Sequence, residues 1–548
     1  MGFRKPQNGI SHVVGQVDQP LLEETIPQML AQTVDRVPER EAAVFVAEGI
    51  RWTYRELAQN VDRLAGGLLC LGVTVGDRVG IWSPNRSEWL LTQLATARIG
   101  AILVCVNPAY RKHELTYALN LVGCSTLITA QAFKSSNYVQ MLQDCAEDLK
   151  CLTNIIAIGD GKPNGMKSFS DVMELGETVE KEQLDTISAS LSNTDPINIQ
   201  FTSGTTGNPK GACLTHRNIL NNAANVTAAM RFSEEDRLCI PVPFYHCFGM
   251  VMGTLGCVTK GATMIVPGEG FDPQETLQAV SGERCTALYG VPTMFVAELA
   301  LPDFETFDLN HLRTGIMAGA SCPIEVMKQV QSKMNMSEVT IAYGMTETSP
   351  VSFQSDVDDP LDKRVSTVGR IHPHVECKVV DAEGNTLPVG QQGELLTKGY
   401  SVMRGYWEDD VRTADSIQDG WMHTGDLAVI DVDGYCDITG RVKDMIIRGG
   451  ENVYPREVED FLFGHASVSQ VQVFGIPDER YGEIVCAWII ASDPQLSADD
   501  IRQYCQDQIA HFKVPTHVHF VDELPMTVTG KPQKFIMRDE MMRLLDEA

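Results

Sequence analysis

The chain has 548 residues, too many for a single compact core, and its 43% hydrophobic and 21% charged residues are typical of a globular protein. Its 72 acidic and 44 basic residues give a net charge of −28, so the sequence predicts neither nucleic acid nor an anionic lipid surface as a partner. An anionic small molecule would need a local cluster of cationic and N–H donors.

The cysteine and apolar patterns indicate the compartment. Fifteen cysteines are scattered without a Cys-x-x-Cys pair, which is typical of reduced, mostly buried thiols. His372 and His374 form a His-x-His, but no other ligand-type residues have the spacing of a zinc site. The first residues, MGFRKPQNGISHVV, lack the apolar stretch of a signal peptide, and the longest apolar segment, 247–258, is too short for a membrane span. We therefore expect a cytoplasmic protein without a membrane span.

The first 130 residues alternate between helical and strand patterns. The predicted order is helix 54–72, strand 77–83, helix 87–100, strand 101–107, helix 112–123 and strand 124–130. Such alternation with short connections predicts βαβ units and a largely parallel sheet.

The pattern weakens over 150–195, where polar residues predominate, and we expect an exposed excursion there. A strand at 197–204 then leads into the stretch TSGTTGNPKG (202–211), and a helix is predicted from about 216. A strand, a glycine-rich loop and a helix in this order would bring backbone N–H groups and a helix N-terminus to a phosphate. The stretch is not a Walker loop, because Pro209 and Gly211 replace the required Gly and Ser or Thr.

The strand and helix alternation resumes to about residue 350, and from 375 short strands and turns predict a small β-rich unit. After about 441 a separate piece has its own apolar pattern, with helices predicted at 455–464, 498–510 and 534–545 and strands at 468–477, 483–491 and 516–522. The sequence predicts two domains, 1–440 and 441–548.

Six short stretches now stand in one order along the chain. They are TSGTTGNPKG (202–211), PFYHCFG (243–249), YGMTE (343–347), GWMHTGD (420–426), GRVKDMIIRGGENVYPREVE (440–459) and PMTVTGKPQK (525–534). This set closely resembles the acyl-adenylate-forming enzymes, which include acyl-CoA synthetases, luciferases and the adenylation domains of peptide synthetases. The stretches PLLEETIPQML (20–30) and YHCFG look most like medium-chain acyl-CoA synthetases.

The resemblance implies a large α/β N-terminal domain with a β-rich subdomain and a small mobile α+β C-terminal domain. It also implies that a carboxylate attacks the α-phosphorus of ATP and pyrophosphate leaves, so the protein supplies positioning, cations and N–H donors. The implied ATP-binding residues are Thr202, Ser203, Gly204, Thr205, Thr206, Gly207, Asn208, Pro209, Lys210, Tyr343, Gly344, Thr346, Asp426, Arg441 and Lys531.

Individual roles follow from the same resemblance. Tyr343 would contact adenine, Thr346 the α-phosphate, and Glu347 would bind Mg²⁺, for which a carboxylate oxygen is a suitable ligand. Asp426 would accept hydrogen bonds from the ribose, with Arg441 as its partner. By their residue types alone, Glu347 could be a surface glutamate at a strand end and Asp426 a turn residue.

The last motifs imply the C-terminal roles. Lys531 matches the catalytic lysine, although a lone lysine is usually a solvated surface residue, and Lys443 matches the hinge of a rotating domain. Gly449 and Gly450 lack side chains, so the pantetheine arm of CoA could pass them.

The acyl pocket is the third implied site. Its expected wall consists of His246, Phe248, Val291, Gly319, Ala320 and Gly344. The small residues Gly319 and Ala320 would leave depth for an alkyl chain. The stretch PFYHCFG lacks the aspartate with which peptide-synthetase domains pair an amino group, which argues against an amino-acid substrate.

The resulting prediction is an ATP-dependent carboxylate–CoA ligase for a fatty acid of medium chain length, using ATP, Mg²⁺ and coenzyme A. Three alternatives stay open at this point: an aryl or short branched acid, transfer to a separate carrier protein, and a nucleotide-binding protein with an inert site. A homodimer is also left open.

Overall fold

The computed structural model describes residues 5–202, 209–320, 322–506, 508–527 and 531–546. The chain forms two compact units. The first contains Val14–Glu376 and Thr397–Met422, and the second contains Lys5–Val13, Cys377–Leu396 and the chain from His423 onwards. The predicted domain boundary between residues 440 and 441 stays a prediction.

One sheet of the first unit has eight strands. In spatial order they are β10 (Lys167–Ser168), β9 (Asn154–Ala157), β6 (Thr126–Thr129), β4 (Arg78–Trp82), β5 (Ile102–Cys105), β11 (Pro196–Thr202), β12 (Lys210–Thr215) and β22 (Gly405–Tyr406). The strands from β10 to β11 are parallel, and β12 and β22 are antiparallel to their neighbours.

The other large sheet of this unit has nine strands. Their order is β19 (Arg370–Ile371), β18 (Val351–Gln354), β17 (Glu338–Gly344), β16 (Thr314–Ala318), β15 (Ala287–Gly290), β13 (Arg237–Cys239), β14 (Thr263–Val266), β2 (Glu41–Phe45) and β3 (Ile50–Thr53). The run from β17 to β2 is parallel, and antiparallel strands close both ends. The predicted α/β class with mostly parallel sheets is therefore confirmed.

Helices connect these strands. They are α1 (Ile26–Arg36), α2 (Tyr54–Cys70), α3 (Ser87–Arg98), α4 (Lys112–Leu121), α5 (Tyr138–Asp144), α6 (Phe169–Gly176), α7 (Lys181–Ala189), α8 (His216–Ala229), α9 (Gly256–Lys260), α10 (Pro273–Gly282), α11 (Pro292–Leu299), α12 (Ile324–Lys333), α13 (Leu361–Ser366) and α14 (Asp410–Ser416). The unit also has a π-helix (Phe248–Leu255), 3₁₀ turns (Ala146–Asp148, Phe304–Thr306, Thr346–Thr348) and the short strands β7 (Ala132–Phe133), β8 (Ser136–Asn137) and β23 (Ile417–Gln418).

Helix α2 shows why these sequences fold locally as they do. Thr53 caps its start, accepting a hydrogen bond from the Glu56 N–H at 3.2 Å while its own N–H donates to Glu56 Oε2 at 2.8 Å. Such a capping box satisfies two N–H groups that the helix leaves unpaired. The apolar residues at helical spacing, Leu57, Val61, Leu64 and Leu68, are all buried.

The prediction of an exposed excursion at 150–195 is wrong. The segment contains β9 and β10, which extend the parallel sheet, and α6, which packs on α2. Glycines permit this packing: a Cβ at Gly67 would lie 2.0 Å from the carbonyl oxygen of Val172, and one at Gly176 would lie 1.6 Å from that of Arg63. Strands β9 and β10 are short, and the outer faces of this segment are polar. The sequence pattern therefore did not reveal its strands and helices.

The second unit has two sheets. In the first sheet the order is β1 (His12–Val14), β20 (Val375–Val380), β21 (Gly393–Gly399), β24 (Trp421–Ile430) and β25 (Cys436–Arg441). The second has the order β27 (Glu451–Val453), β26 (Ile446–Arg448), β29 (Gly482–Ala491), β28 (Val468–Asp478), with β30 (His517–Phe520) beside β29. This agrees with the predicted small β-rich and α+β pieces.

Three helices and a 3₁₀ turn cover the second sheet: α15 (Pro455–Phe463), α16 (Ala498–Cys505), His511–Lys513 and α17 (Lys534–Asp546). One face of the sheet packs under α15 and α16, and the other face packs Phe474 and Trp488 against Met537 of α17. Helix α16 ends five residues earlier than predicted, because Gln506 adopts an extended conformation. None of the helices in the described parts of the chain combines the length and apolar composition needed to cross a membrane.

Candidate active site

The glycine-rich stretch lies in a β-hairpin. Strands β11 and β12 pair in antiparallel register with Thr202 opposite Lys210, so these two residues stand at the base of the loop. The predicted phosphate-binding residues of the loop itself, Ser203, Gly204, Thr205, Thr206, Gly207 and Asn208, lie outside the described residues. Pro209 directly precedes β12.

The expected context of this loop is corrected in one respect. Helix α8 begins at His216 as predicted, with Thr215 as its cap, but the six residues of β12 separate it from the loop. A strand of that length spans about 20 Å. The N-terminus of α8 therefore lies at the opposite end of β12 from Lys210.

Glu347, the predicted magnesium ligand, is buried and held by two hydroxyl groups. Thr202 Oγ1 donates to its Oε1 at 3.1 Å, and Tyr406 Oη donates to the same oxygen at 2.9 Å. The Met403 N–H also donates to the Glu347 carbonyl oxygen at 2.8 Å. The structure thus joins two sequence-predicted residues, Thr202 and Glu347, directly, and adds a third, Tyr406, that sequence reasoning missed.

Tyr406 also contacts the predicted phosphate-binding lysine. Lys210 Nζ lies 5.0 Å from the centroid of the Tyr406 ring, within the range of a cation–π interaction. No sequence signal singled out this tyrosine, because it is 59 residues from Glu347 along the chain. Only the pairing of β22 with β12 brings it there.

The residues present fit a magnesium ion. Both hydrogen bonds to the Glu347 carboxylate end on Oε1, and within the described residues none reaches Oε2. Mg²⁺ is usually held by one or two carboxylates together with substrate phosphates and water. The described residues contain no group of three or more His, Cys, Asp or Glu that could hold a metal ion.

The YGMTE stretch forms the end of β17 and a 3₁₀ turn. Tyr343 and Gly344 are the last residues of β17, and Thr346 and Glu347 begin the turn, both buried. Gly344 is required for packing, because a Cβ there would lie 1.8 Å from the Pro350 carbonyl oxygen. The turn therefore places Thr346 and Glu347 directly beyond the carboxyl end of a central strand.

Three predicted acyl-pocket residues lie at the same edge of the nine-stranded sheet. Val291, Gly319 and Gly344 come at or directly after the ends of the neighbouring parallel strands β15, β16 and β17. A Cβ at Gly319 would lie 3.2 Å from Val291 Cγ1, so these two residues face each other. Ligands of α/β proteins commonly bind at this edge. Ala320 follows Gly319 and is exposed.

The PFYHCFG stretch leads into the π-helix. His246 is half-buried, and its Nδ1 accepts a hydrogen bond from the Phe248 N–H at 3.2 Å. The Phe248 ring lies 5.3 Å from that of Tyr289 on β15. Cys247 Sγ donates to Gln200 Oε1 of β11 at 2.8 Å. π-Helices are rare and occur frequently at functional sites, and the acyl-pocket role of His246 and Phe248 stays a prediction.

The predicted ribose pair lies together in the second unit. Asp426 on β24 stands opposite Arg441 on β25, and Arg441 Nε donates to Asp426 Oδ1 at 2.9 Å. Asp426 is only 6% exposed. Its own N–H donates to Thr424 Oγ1 at 3.1 Å, which orients the HTGD turn.

The remaining predicted residues of this unit lie on turns. Lys443 is exposed, in the turn that connects β25 to β26. Gly449 and Gly450 form the two-residue turn between β26 and β27, with φ of 62° and 88°, values that favour glycine. The Gly449 N–H donates to the Tyr481 carbonyl oxygen at 2.7 Å, and no atom lies within 4 Å of a Cβ placed at Gly450.

Lys531 is also exposed. Its N–H donates to Thr527 Oγ1 at 2.9 Å and its carbonyl oxygen accepts from the Thr527 N–H at 2.8 Å, so the backbone turns back on itself. The structure thus joins Thr202, Lys210 and Glu347 in the first unit and Asp426 with Arg441 in the second. Lys443, the Gly449–Gly450 pair and Lys531 stand on three separate turns.

Comparisons with known proteins agree with this arrangement. The family model of the AMP-binding enzymes matches residues 30–407, and that of the AMP-binding enzyme C-terminal domain matches residues 457–531. Relatives include YngI of Bacillus subtilis (strain 168), whose name gives acyl-CoA synthetase as a provisional assignment, at 47% identity over 96% of this chain and 98% of that protein. The mitochondrial medium-chain acyl-CoA ligase ACSF2 of Danio rerio is 44% identical over 98% of this chain and 91% of its own.

Solved structures give the same result. The anthranilate CoA ligase AuaEII in complex with anthranoyl-AMP has a TM-score of 0.87 at 27% identity, over 96% of this chain and 99% of that one. ATP-bound MatB from Rhodopseudomonas palustris has a TM-score of 0.81 at 30% identity, over 94% and 98%. The resemblance found in the six motifs is confirmed, and the chain belongs to the family of AMP-binding enzymes.

Proposed function

We propose that this chain is an ATP-dependent carboxylate–CoA ligase that activates a medium-chain fatty acid as its acyl-adenylate and then transfers the acyl group to coenzyme A. The observation that carries the proposal is the buried Glu347 carboxylate, which Thr202 and Tyr406 hold at the base of the glycine-rich hairpin loop. Val291 and Gly319 lie at the ends of β15 and β16, and β16 pairs with β17, the strand that leads to Glu347.

The adenylation step would use the predicted ATP-site residues. The acid carboxylate attacks the α-phosphorus of ATP, and the bond to the bridging oxygen of pyrophosphate breaks. Thr346 and Lys531 would stabilise charge on the α-phosphate, and the glycine-rich loop with Lys210 would hold the departing pyrophosphate. Mg²⁺ bound by Glu347 would neutralise charge on the phosphate oxygens. Asp426 and Arg441 would bind the ribose, and Tyr343 would contact the adenine.

The second step converts the acyl-adenylate into the thioester. The CoA thiol loses its proton and attacks the acyl carbonyl, a tetrahedral intermediate collapses, and AMP leaves. Lys443 would act as the hinge that exchanges Lys531 for the Gly449–Gly450 turn. The position of Lys443 between two sheets and the open space around Gly450 support these roles.

Medium chain length is proposed from two observations. The vertebrate relatives at 42–44% identity are named as medium-chain acyl-CoA ligases. The stretch PFYHCFG contributes aromatic rings and no carboxylate, which suits an alkyl chain better than an amino acid. An aryl acid is the second candidate, because a solved structure with the same fold is an anthranilate CoA ligase.

A panel of acids tests the proposal. Pyrophosphate release is measured with straight-chain acids from short to long, with aryl acids and with branched acids, each with and without CoA. We expect the highest rate with medium-chain acids and a requirement for CoA in sustained turnover. Turnover that does not need CoA would favour a carrier protein as the acceptor, and a preference for benzoate-type acids would favour the aryl alternative.

The cellular location and the oligomeric state of the protein are also proposals. Cytoplasmic location is proposed from the reduced cysteines, although the vertebrate relatives are named as mitochondrial. A homodimer stays a prediction, and size-exclusion chromatography with light scattering tests it directly.

A further inference from the structure

Tyr406 lies against two predicted ATP-site residues at once, and it had no part in the sequence prediction. Its hydroxyl is 2.9 Å from Glu347 Oε1, and Lys210 Nζ is 5.0 Å from its ring centroid. The residue is 7% exposed. One side chain therefore contacts both the carboxylate predicted to bind the metal and the ammonium predicted to bind phosphate.

The surrounding structure fixes this ring. Strand β22 pairs with β12, with Tyr406 opposite Ala212, and the Trp407 N–H donates to the Gly211 carbonyl oxygen at 2.8 Å. The Tyr406 N–H donates to Thr413 Oγ1 at 2.9 Å. Hydrogen bonds on either side of the residue thus hold its backbone against the strand that follows the glycine-rich loop.

The chemistry of the two groups decides which is the donor in the hydrogen bond between Tyr406 and Glu347. The Glu347 carboxylate can only accept hydrogen bonds, so the Tyr406 hydroxyl is the donor in this contact. Thr202 donates to the same oxygen, so two donors hold Oε1. Two hydrogen bonds on one oxygen fix the plane of a carboxylate and leave its other oxygen for a cation.

We propose that Tyr406 is a positioning residue for adenylation: its hydroxyl orients the Glu347 carboxylate toward the cation of Mg·ATP, and its ring holds the Lys210 ammonium beside that carboxylate. The proposal rests on the proposed use of Mg·ATP. It differs from a purely structural role in one respect, because the loss of the hydroxyl should weaken metal binding as well as lower stability.

The first test is Tyr406→Phe, which removes the hydroxyl and keeps the ring. Mn²⁺ serves as the metal probe, and its binding is measured by electron paramagnetic resonance in the presence of a non-hydrolysable ATP analogue with a methylene bridge between the α- and β-phosphates. We expect about tenfold weaker Mn²⁺ binding, as is found when groups that orient a metal ligand are removed. Unchanged Mn²⁺ affinity would overturn the proposal.

A matched control separates this effect from the loss of any buried tyrosine hydroxyl. Tyr138 is fully buried, and its hydroxyl donates to the Pro108 carbonyl oxygen at 2.6 Å. Tyr138→Phe should lower the thermal unfolding temperature by an amount similar to Tyr406→Phe but leave Mn²⁺ affinity unchanged. An equal loss of Mn²⁺ affinity in both variants would indicate a general structural effect and overturn the proposal.

A second variant tests the role of the ring. Tyr406→Leu removes both the hydroxyl and the aromatic face below Lys210. In EDTA, where no metal contributes, nucleotide binding should be unchanged in Tyr406→Phe and about threefold to tenfold weaker in Tyr406→Leu, which corresponds to a cation–π contribution of about 1 kcal/mol. Equal metal-free affinity in the two variants would overturn the part of the proposal that concerns Lys210.

A double-mutant cycle tests whether Tyr406 acts through Glu347. In a Glu347→Gln background, Tyr406→Phe should cause no further loss of Mn²⁺ affinity, because the group it orients is already gone. Additive losses would overturn the proposal. These binding measurements need no acid or CoA, so a wrong assignment of the ligase reaction would appear in the acid panel and not here.

Discussion

The buried site residues of the first unit and the turn residues of the second unit differ in how firmly the structure holds them. Thr346 and Glu347 are 9% and 6% exposed, and Glu347 is held by hydroxyls from two other strands. Lys443, Gly449, Gly450 and Lys531 are exposed on turns. A group that must meet developing charge gains from being fixed in advance. Groups that serve two successive reactions at one site gain from lying on turns, as lids and hinges do.

The largest expected effect concerns the exposed lysine. Lys531→Ala should slow adenylation by about a thousandfold, the upper end for the loss of one charge-stabilising group. Thioester formation from supplied acyl-AMP should be almost unchanged, and so should the unfolding temperature, because Lys531 is exposed. Pyrophosphate release and thioester formation are measured separately. An equal loss in both half-reactions would contradict the role assigned to Lys531.

The next effect contrasts two glycines. Gly344→Ala should destabilise the first unit by about 3 kcal/mol, because its Cβ would lie 1.8 Å from the Pro350 carbonyl oxygen and the backbone must move. Gly450→Ala should cost about 1 kcal/mol, because φ is +88° but no atom lies within 4 Å of the new Cβ. Denaturant unfolding monitors both variants. Equal costs would show that the Gly344 contact relaxes easily.

A smaller, selective effect is expected at the same exposed turn. Gly450→Leu should slow thioester formation by about tenfold to a hundredfold through obstruction of the pantetheine path, and should leave adenylation within about twofold of the unmodified chain. Gly384→Leu offers a control, since Gly384 has a similar φ of 84° and equally open surroundings. A loss of adenylation in Gly450→Leu, with Gly384→Leu unaffected, would move Gly450 to the first half-reaction.

The smallest effect concerns pH. Burial lowers the pKa of His216 to about 3, and Ile26 N–H donates to its Nδ1 at 3.2 Å. The folded protein holds His216 in its neutral form, so the unfolded state binds a proton more readily. The contribution of neutral His216 to the free energy of unfolding is therefore complete above pH 6.5 and is lost as the pH falls from there toward 3. At pH 5.5 the loss is about 1.4 kcal/mol.

The pH prediction is tested by comparison between units. His216→Asn keeps an acceptor and removes the titration, so the variant should lose less stability than the unmodified chain between pH 7.5 and 5.5. Burial also lowers the pKa of His517 in the second unit, and that ring is less enclosed, so His517→Asn should have a smaller effect. A larger effect at His517 would reverse the comparison.

The sequence predicted the parts of the fold that depend on local pattern. Helix α2 starts at Tyr54 as predicted, because its cap and apolar stripe are contained in seventeen consecutive residues. Strand β12 was missed because KGACLT has little β-branched character, and its pairing with β11 and β22 decides its conformation. The segment 150–195 was missed because its strands are short and its helix contact depends on glycines.

The candidate site likewise contains residues that a local motif predicts and residues that only long-range pairing brings into place. Glu347 and Asp426 could be proposed because each lies in a motif of five to seven residues. Tyr406 could not, since its contact with Glu347 spans 59 residues and depends on a two-residue strand. The pairing of Asp426 with Arg441 was expected only from the resemblance, and its 2.9 Å hydrogen bond comes from the register of β24 with β25.

The central claim is that one chain couples ATP cleavage at the α-phosphorus to thioester formation. The most direct measurement is the product stoichiometry with octanoate, ATP, Mg²⁺ and CoA, followed by chromatography and mass spectrometry. The account predicts AMP, pyrophosphate and octanoyl-CoA in equal amounts. Formation of ADP and phosphate, or of AMP and pyrophosphate without any thioester for every acid in the panel, would contradict it.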